Sequence, residues 1–215
     1  MHPVKYAVIS AAGMGSRLGL NMPKCMIDIH GRRIIDYLLD LLEEIENVRI
    51  VVGFMEELII EHVRKLRDDV VFIRNPNFQT TSNAHSLWLA TRDLDEPFIS
   101  IDGDMLINPA SFTEFLIACS GQDSVIGVAK SNTEEAVFVK LDAKKQIVAF
   151  QRSPSETYEW CGIAYMSGMR IPQGEHVYVY SVLEKHLPLK AQVIDCCEID
   201  TPADFDHALK NFSKK

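Results

Sequence analysis

Residues 5–12 (KYAVISAA) form an apolar run that stops at Gly13, and a glycine-rich stretch follows at once. A short continuous apolar run of this kind reads as a strand buried on both faces. The pattern then repeats. Residues 33–45 place Ile34, Ile35, Leu38, Leu41, Leu42 and Ile45 at helical spacing, and residues 48–54 (VRIVVGF) return to a buried strand. A helix over 56–67, a strand over 70–74, a helix over 84–91 and a strand over 98–101 continue the alternation. Ser82 or Asn83 caps the third helix, and Asn108 caps a fourth that opens at Pro109. Strands alternating with helices imply a mostly parallel sheet covered on both faces.

The second half reads differently. Residues 124–129, 136–141, 147–151 and 161–166 suggest shorter strands in hairpin order, with a turn over 142–145. A weak helix over 175–186, a strand over 191–198 and a closing helix over 202–211 capped by Thr201 complete the reading. The expectation is one α/β domain, a three-layer α/β/α sandwich around a mostly parallel mixed sheet. Within it, residues 1–122 form the alternating part, 123–190 the shorter strands and 191–215 the closing strand and helix.

The balance of 22 basic and 30 acidic residues in 215, a net charge of −8, argues against nucleic-acid binding. No apolar run approaches the length of a membrane span, and the first residues lack the order of a signal peptide. Five cysteines without a CxxC pair argue against a disulfide framework or zinc, so a cytoplasmic setting is expected.

The chemistry concentrates after the first strand. Ala11, Ala12, Gly13, Met14, Gly15, Ser16, Arg17, Leu18 and Gly19 run on to Pro23 and Lys24. Glycines let a backbone approach phosphates and present amide hydrogens to them. Arg17 adds a guanidinium fork and Lys24 a point charge, which a bare turn does not require. A P-loop needs Lys followed by Ser or Thr after the last glycine, and a dinucleotide fingerprint needs glycine where Leu18 stands.

This G-x-G-x-R…P-K loop resembles the signature of the nucleoside-diphospho-sugar-pyrophosphorylase-like nucleotidyltransferases. The resemblance implies a glycine loop that wraps the triphosphate, with Arg17 and Lys24 as catalytic cations and Mg²⁺ as cofactor. The metal aspartate at the end of the fourth strand falls on Asp104, with Asp102 as the competing assignment and a nucleotide-side residue. The segment Glu198-Ile199-Asp200-Thr201-Pro202 resembles the acidic segment of cytidylyltransferases and gives the second ligand to Asp200, ahead of Glu198 and Asp204. A carboxylate that merely starts a helix is the other reading of Asp200.

The polar stretch 75–83 supplies Gln79, Ser82 and Asn83 as base-reading groups. Ser82-Asn83-Ala84-His85-Ser86-Leu87 resembles the (Thr/Ser)-Asn-x-x-Ser-Leu pattern of bacterial phosphocholine and phosphonate cytidylyltransferases, which implies CTP. Tyr158, Glu159 and Trp160, with Lys140 and Arg152, form the expected acceptor pocket; a packing role for Trp160 stands beside it. The acceptor is a small phosphorylated or phosphonylated compound, of phosphocholine or 2-aminoethylphosphonate type. The rival readings are a sugar-1-phosphate nucleotidyltransferase using another nucleotide, a nucleotide-sensing module without catalysis, and a dinucleotide-dependent oxidoreductase. The second-half strands leave room for a small homodimer interface, with no residue that carries it.

Overall fold

A computed structural model of the chain describes residues 4–15, 19–121, 123–131, 136–152, 156–174 and 176–212. Strand β1 (Tyr6–Ala11) lies between β4 (Asn47–Val52) and β6 (Phe98–Asp102), parallel to both, and β5 (Val71–Arg74) adds to β4 in parallel. Ala7, Ile9 and Ala11 of β1 enter one core cluster and Val8 enters the other. This period-two division explains why the strand reads as continuously apolar: both of its faces are covered. Full burial of Ile9 contributes about 1.5–3 kcal/mol relative to exposure.

The crossover helices follow the expected periodicity. Helix α1 (Ile34–Leu41) is preceded by a short hairpin of β2 (Asp28–Ile29) and β3 (Arg32–Arg33). It buries Ile34, Ile35, Leu38 and Leu39. Helix α2 (Glu56–Val63) buries Ile59, Ile60 and Val63 against the same cluster. Helix α3 (Asn83–Thr91) packs Ala84, Leu87 and Ala90 on the opposite face. After β7 (Met105–Ile107), helix α4 (Pro109–Ala118) starts at Asn108, whose Oδ1 accepts from the Ala110 N–H at 3.0 Å. Two helix layers thus sandwich the sheet.

The second half changes character as expected, from parallel pairing to mainly antiparallel pairing. β8 (Val125–Lys130), β9 (Phe138–Leu141), β10 (Gln146–Gln151) and β11 (Tyr158–Met166) are joined by antiparallel ladders β11–β6, β11–β8, β11–β9 and β10–β9. The central sheet runs β5-β4-β1-β6-β11-β8, then β12 (Leu189–Val193), β10 and β9. It is therefore a mixed sheet. β9 also pairs with the start of β11, so the second-half strands curl into a ring.

The run expected as one strand over 191–198 is divided between β12 and β13 (Cys196–Glu198). Ile194 is buried and its N–H still reaches Val128. Asp195 is then claimed by the start of α4. Its carbonyl accepts from the Asn108 N–H, its N–H donates to Ser111 Oγ, and its carboxylate accepts from Asn108 Nδ2. The chain turns there, and β13 pairs antiparallel with β7 in a separate small sheet. The helix expected over 175–186 is shorter: α5 (Val179–Leu183) and a 3-10 turn over Glu184–His186. Tyr178 is extended, and Val179 and Val182 are branched residues of low helical preference. Glu175 lies outside the described residues. The closing helix α6 (Pro202–Asn211) forms as expected behind Thr201. Among the described residues, no helix is long and apolar enough to cross a membrane.

Candidate active site

The carboxyl ends of β1 and β6 lie side by side, and the glycine loop leaves from the first. Gly15 has φ +60°, and a Cβ there would lie 2.8 Å from Lys24 Cγ. Glycine is required at that point because the loop runs hard against the lysine stem. Lys24 itself opens a 3-10 turn over Lys24–Met26 whose Cys25 and Met26 are buried. The Met26 N–H donates to the Pro23 carbonyl at 2.9 Å, fixing the turn. Buried neighbours thus hold the lysine at the cleft floor.

Its ammonium meets two carboxylates. Lys24 Nζ donates to Asp104 Oδ2 at 2.7 Å and also to Asp200 Oδ1. Burial pulls the ammonium pKa down, but Asp104 and Asp200 outweigh it and hold it above its ordinary value. Lys24 is charged at any physiological pH. Asp104 follows β6 through Gly103, whose N–H donates to the Ser10 carbonyl at 2.9 Å. Ile199 N–H donates to the Asp104 carbonyl at 3.0 Å, bringing the end of β13 to the same place. Carboxylate oxygens of Asp104, Glu198 and Asp200 lie within 4.8 Å of one another. Three hard oxygen donors at that separation fit Mg²⁺ better than a soft metal.

The cap of the helix that follows Asp200 is made by other residues. Thr201 Oγ1 and Asp204 form the reciprocal cap of α6, with the Thr201 N–H donating to Asp204 Oδ2 at 2.7 Å. The Asp200 side chain goes to Lys24 instead. Asp102 stands apart from the three-carboxylate group. Burial above all, then Asp104 and Glu198, push its carboxyl well above the usual carboxylate range, with Lys24 acting the other way. Gly162 packs on it from β11 at φ +78°, where a Cβ would lie 2.9 Å from Asp102 Oδ2. The β11–β8 register shifts between Trp160 and Ala164, a bulge that brings Gly162 to this contact. Gly162→Ala is therefore expected to cost about 2 kcal/mol. In a chain of this length that lowers the thermal midpoint by about 4–8 °C, readable by circular dichroism.

The cleft has two adjoining chambers. One of about 220 Å³ is lined by Ala11, Gly13, Gly15, Lys24, Asp104 and Asp200, among others. Cys25 also borders it; burial first and Asp104 second push that thiol up to about 12, so it is protonated and not a nucleophile. The other, of about 250 Å³, is lined by Ala12, Phe78, Thr81, Ser82, Asn83, Ser86, Asp102 and Glu198. Ser10, Gly13 and Asp104 border both.

The wall of the second chamber is held by Asn75, which is 2% exposed. Its Nδ2 donates to Thr81 Oγ1 and Ser86 Oγ at 3.0 Å each, and its Oδ1 accepts from the Asn77 N–H at 3.0 Å. Asn75, Phe78, Thr81 and Ser86 fall within the expected base-reading stretch and motif but are not singled out by the sequence. Phe78, the one aromatic in a polar loop, was the signal available. Ser82 Oγ donates to the Val177 carbonyl, and Asn83 Oδ1 accepts from the Val179 N–H at 3.3 Å. Among the described residues, Met14 and Gln79 are exposed and line neither chamber.

The expected acceptor residues do not line these chambers either. Lys140 is exposed on β9. Tyr158 and Trp160 are half-buried against the core cluster beneath α3, and Glu159 lies between them on β11. Arg152 lies over the Tyr180 ring at 5.1 Å, and Tyr178 stacks on Tyr180 at 5.8 Å. Ser16 and Arg17 lie outside the described residues.

Several known proteins are similar. Campylobacter jejuni CTP:phosphoglutamine cytidylyltransferase is 29% identical over 138 residues, 62% of this chain and 51% of that protein. Streptomyces rubellomurinus CMP-5'-(3-aminopropyl)phosphonate synthase is 34% identical over 119 residues, 50% of this chain and 18% of that protein. Methanococcus vannielii bifunctional protein GlmU is 26% identical over 155 residues, 70% of this chain and 36% of that protein. The chain thus spans about half or less of the curated relatives it matches. Among solved structures, the T. maritima inositol-1-phosphate CTP transferase superposes with a TM-score of 0.77 at 21% identity, covering 99% of each chain. The Streptococcus pneumoniae CTP:phosphocholine cytidylyltransferase gives 0.77 at 17% identity, covering 98% of this chain and 100% of that one. These likenesses establish the nucleotidyltransferase fold. The family model for the MobA-like NTP transferase domain matches residues 7–169, most of the chain, and the chain belongs to that family.

Proposed function

We propose that this chain is a cytidylyltransferase that transfers CMP from CTP to a small phosphorylated or phosphonylated acceptor and releases pyrophosphate. The observation that carries the reading is Lys24 held by Asp104 and Asp200 beside Glu198, at the strand ends where the glycine loop begins. A positive charge against carboxylates at the floor of a glycine-lined cleft suits a polyphosphate with its metal. A relative named for CTP and phosphoglutamine and another named for a CMP-phosphonate support the choice of nucleotide and acceptor class.

In this reading the triphosphate lies along the glycine loop and the base enters the chamber walled by Phe78, Ser82 and Asn83. Asp104 and Asp200 would hold Mg²⁺, with Glu198 as a third oxygen donor, and the ion would supply charge to neutralise the phosphates. Lys24 holds a fixed positive charge beside the reacting phosphate, and Arg17 adds a guanidinium from the glycine loop. The acceptor oxygen is already anionic at neutral pH, so in-line attack at the α-phosphorus needs no protein base. Catalysis then rests on positioning and charge. Lys140, Arg152, Tyr158, Glu159 and Trp160 remain the proposed acceptor side, and the setting is the cytoplasm.

Similarity to GlmU proteins favours a second reading, transfer from another nucleotide to a sugar 1-phosphate. One experiment separates the two. Pyrophosphate release is measured with Mg²⁺, crossing CTP, UTP, GTP, ATP and dTTP with phosphocholine, 2-aminoethylphosphonate, phosphoethanolamine and sugar 1-phosphates. Release with CTP and a phospho- or phosphono-compound is expected. Release only with a sugar phosphate and another nucleotide overturns the CTP reading.

A further inference from the structure

Asn83 lines the base-side chamber and is the first residue of α3, yet its side chain is tied to a different segment. Its Oδ1 accepts from the Val179 N–H at 3.3 Å. That N–H begins α5, where it has no partner within the helix. A backbone N–H only donates, so the oxygen end of the amide must face it. This fixes the orientation that an asparagine otherwise leaves open. Ser82 Oγ, donating to the Val177 carbonyl, fastens the same segment one residue earlier in the loop. With its oxygen engaged by Val179, what Asn83 has left to offer a ligand in the chamber it lines is its NH₂, a pure donor.

We propose that this oriented amide selects cytosine over uracil, an inference that rests on the CTP reading above. The two bases share an acceptor at O2 and differ at N3 and C4. Cytosine N3 is a bare acceptor, whereas uracil carries N3–H, a donor. Asn83 Nδ2 donates to cytosine N3. Against uracil the same group faces another N–H, and the mismatch leaves two donors desolvated without partners. Val179 is then a positioning residue whose backbone, rather than its side chain, sets the base preference. The arrangement also joins base recognition to residues 177–179, so the base-reading amide depends on a segment about a hundred positions away.

The test is equilibrium binding of CTP and of UTP, each with Mg²⁺, to the full chain and three variants. Asn83→Asp replaces the NH₂ with a second acceptor, which suits uracil N3–H and opposes cytosine N3; the CTP-to-UTP affinity ratio is expected to invert. Val179→Pro removes the orienting N–H. Proline is well tolerated at the first position of a helix, and the preceding Tyr178 already has the extended backbone that proline prefers, at ψ 151°. Freed to rotate, the amide can serve either base, and the ratio is expected to fall by about tenfold or more. Val179→Ala trims the side chain but keeps the N–H, and it should preserve the ratio. A wild-type preference for CTP that survives both Asn83→Asp and Val179→Pro overturns the inference and leaves the CTP reading standing. A wild-type chain with no preference for CTP overturns that reading, and the inference with it. If Val179→Pro fails to fold, Asn83→Asp decides alone.

Discussion

Lys24→Ala is expected to lower turnover by about 10²- to 10³-fold, equivalent to about 2.7–4 kcal/mol of transition-state stabilisation. Two features lead to that magnitude. The ammonium is anchored by buried neighbours at its turn, so it needs little rearrangement to meet developing charge. It is also only 19% exposed, so its field is less screened than that of a surface lysine. The same substitution has an opposite effect on the metal. Lys24 occupies Asp104 and Asp200, and its removal takes away a cation that competes with a divalent ion for both carboxylates. Tighter Mg²⁺ binding alongside slower turnover is the expected signature, read by calorimetry and pyrophosphate release on the same preparation. With Mg²⁺ present the thermal midpoint should move little, because the cation then neutralises the same carboxylates. Near-normal turnover would remove Lys24 from the reaction.

Asp104→Asn and Asp200→Asn should each cost a comparable factor, and the double variant should be little worse than the poorer single. Groups that hold one cation act as a unit, and removing either member forfeits most of the benefit. The Mg²⁺ concentration for half-maximal rate should rise in each single variant. Asp200 is the sharper test. Its alternative role, a carboxylate that starts a helix, is already filled by Thr201 and Asp204. If Asp200→Asn slows turnover while α6 keeps its helicity, the residue belongs to the metal. If turnover is normal, its bond to Lys24 is structural.

The fold of the first half was legible because its central strands, β1 and β6, are buried on both faces and each crossover helix has one apolar stripe. Those periods are local, and they located β1, β4 and β6 to within a residue or two. The same locality explains the misses. Ile194 and Cys196 continue an apolar pattern, and nothing in the pattern records that Asn108 and Ser111, more than eighty positions away, claim Asp195 between them. Lys24 and Asp104 were legible from motif and position. Glu198 was ranked behind Asp200, since it takes the meeting of β13 with β7 to bring its carboxylate to Asp104. The role of Val179 was beyond sequence reading for a simpler reason: a backbone N–H has no letter. Trp160 shows a different limit: an aromatic beside Glu159 suits a ligand or a packing role equally in the sequence, and the fold sets its ring half-buried against the core cluster.

The ring formed by β9, β10, β12, β8 and β11 has a consequence for how the molecule tolerates a crowded solution. A strand at a sheet margin carries unpaired backbone groups that can recruit another chain into cross-strand aggregation. In the central sheet the ring leaves β9 with partners on both sides, so the exposed margin lies at β5. That strand has only four residues. Its last side chain, Arg74, is 62% exposed and reaches Glu56 and Glu57, setting charge along the open rim. A short, charged margin is a poor template for a neighbour. Among the described residues, the strands of the curled half are paired around the ring, β9 closing on β11.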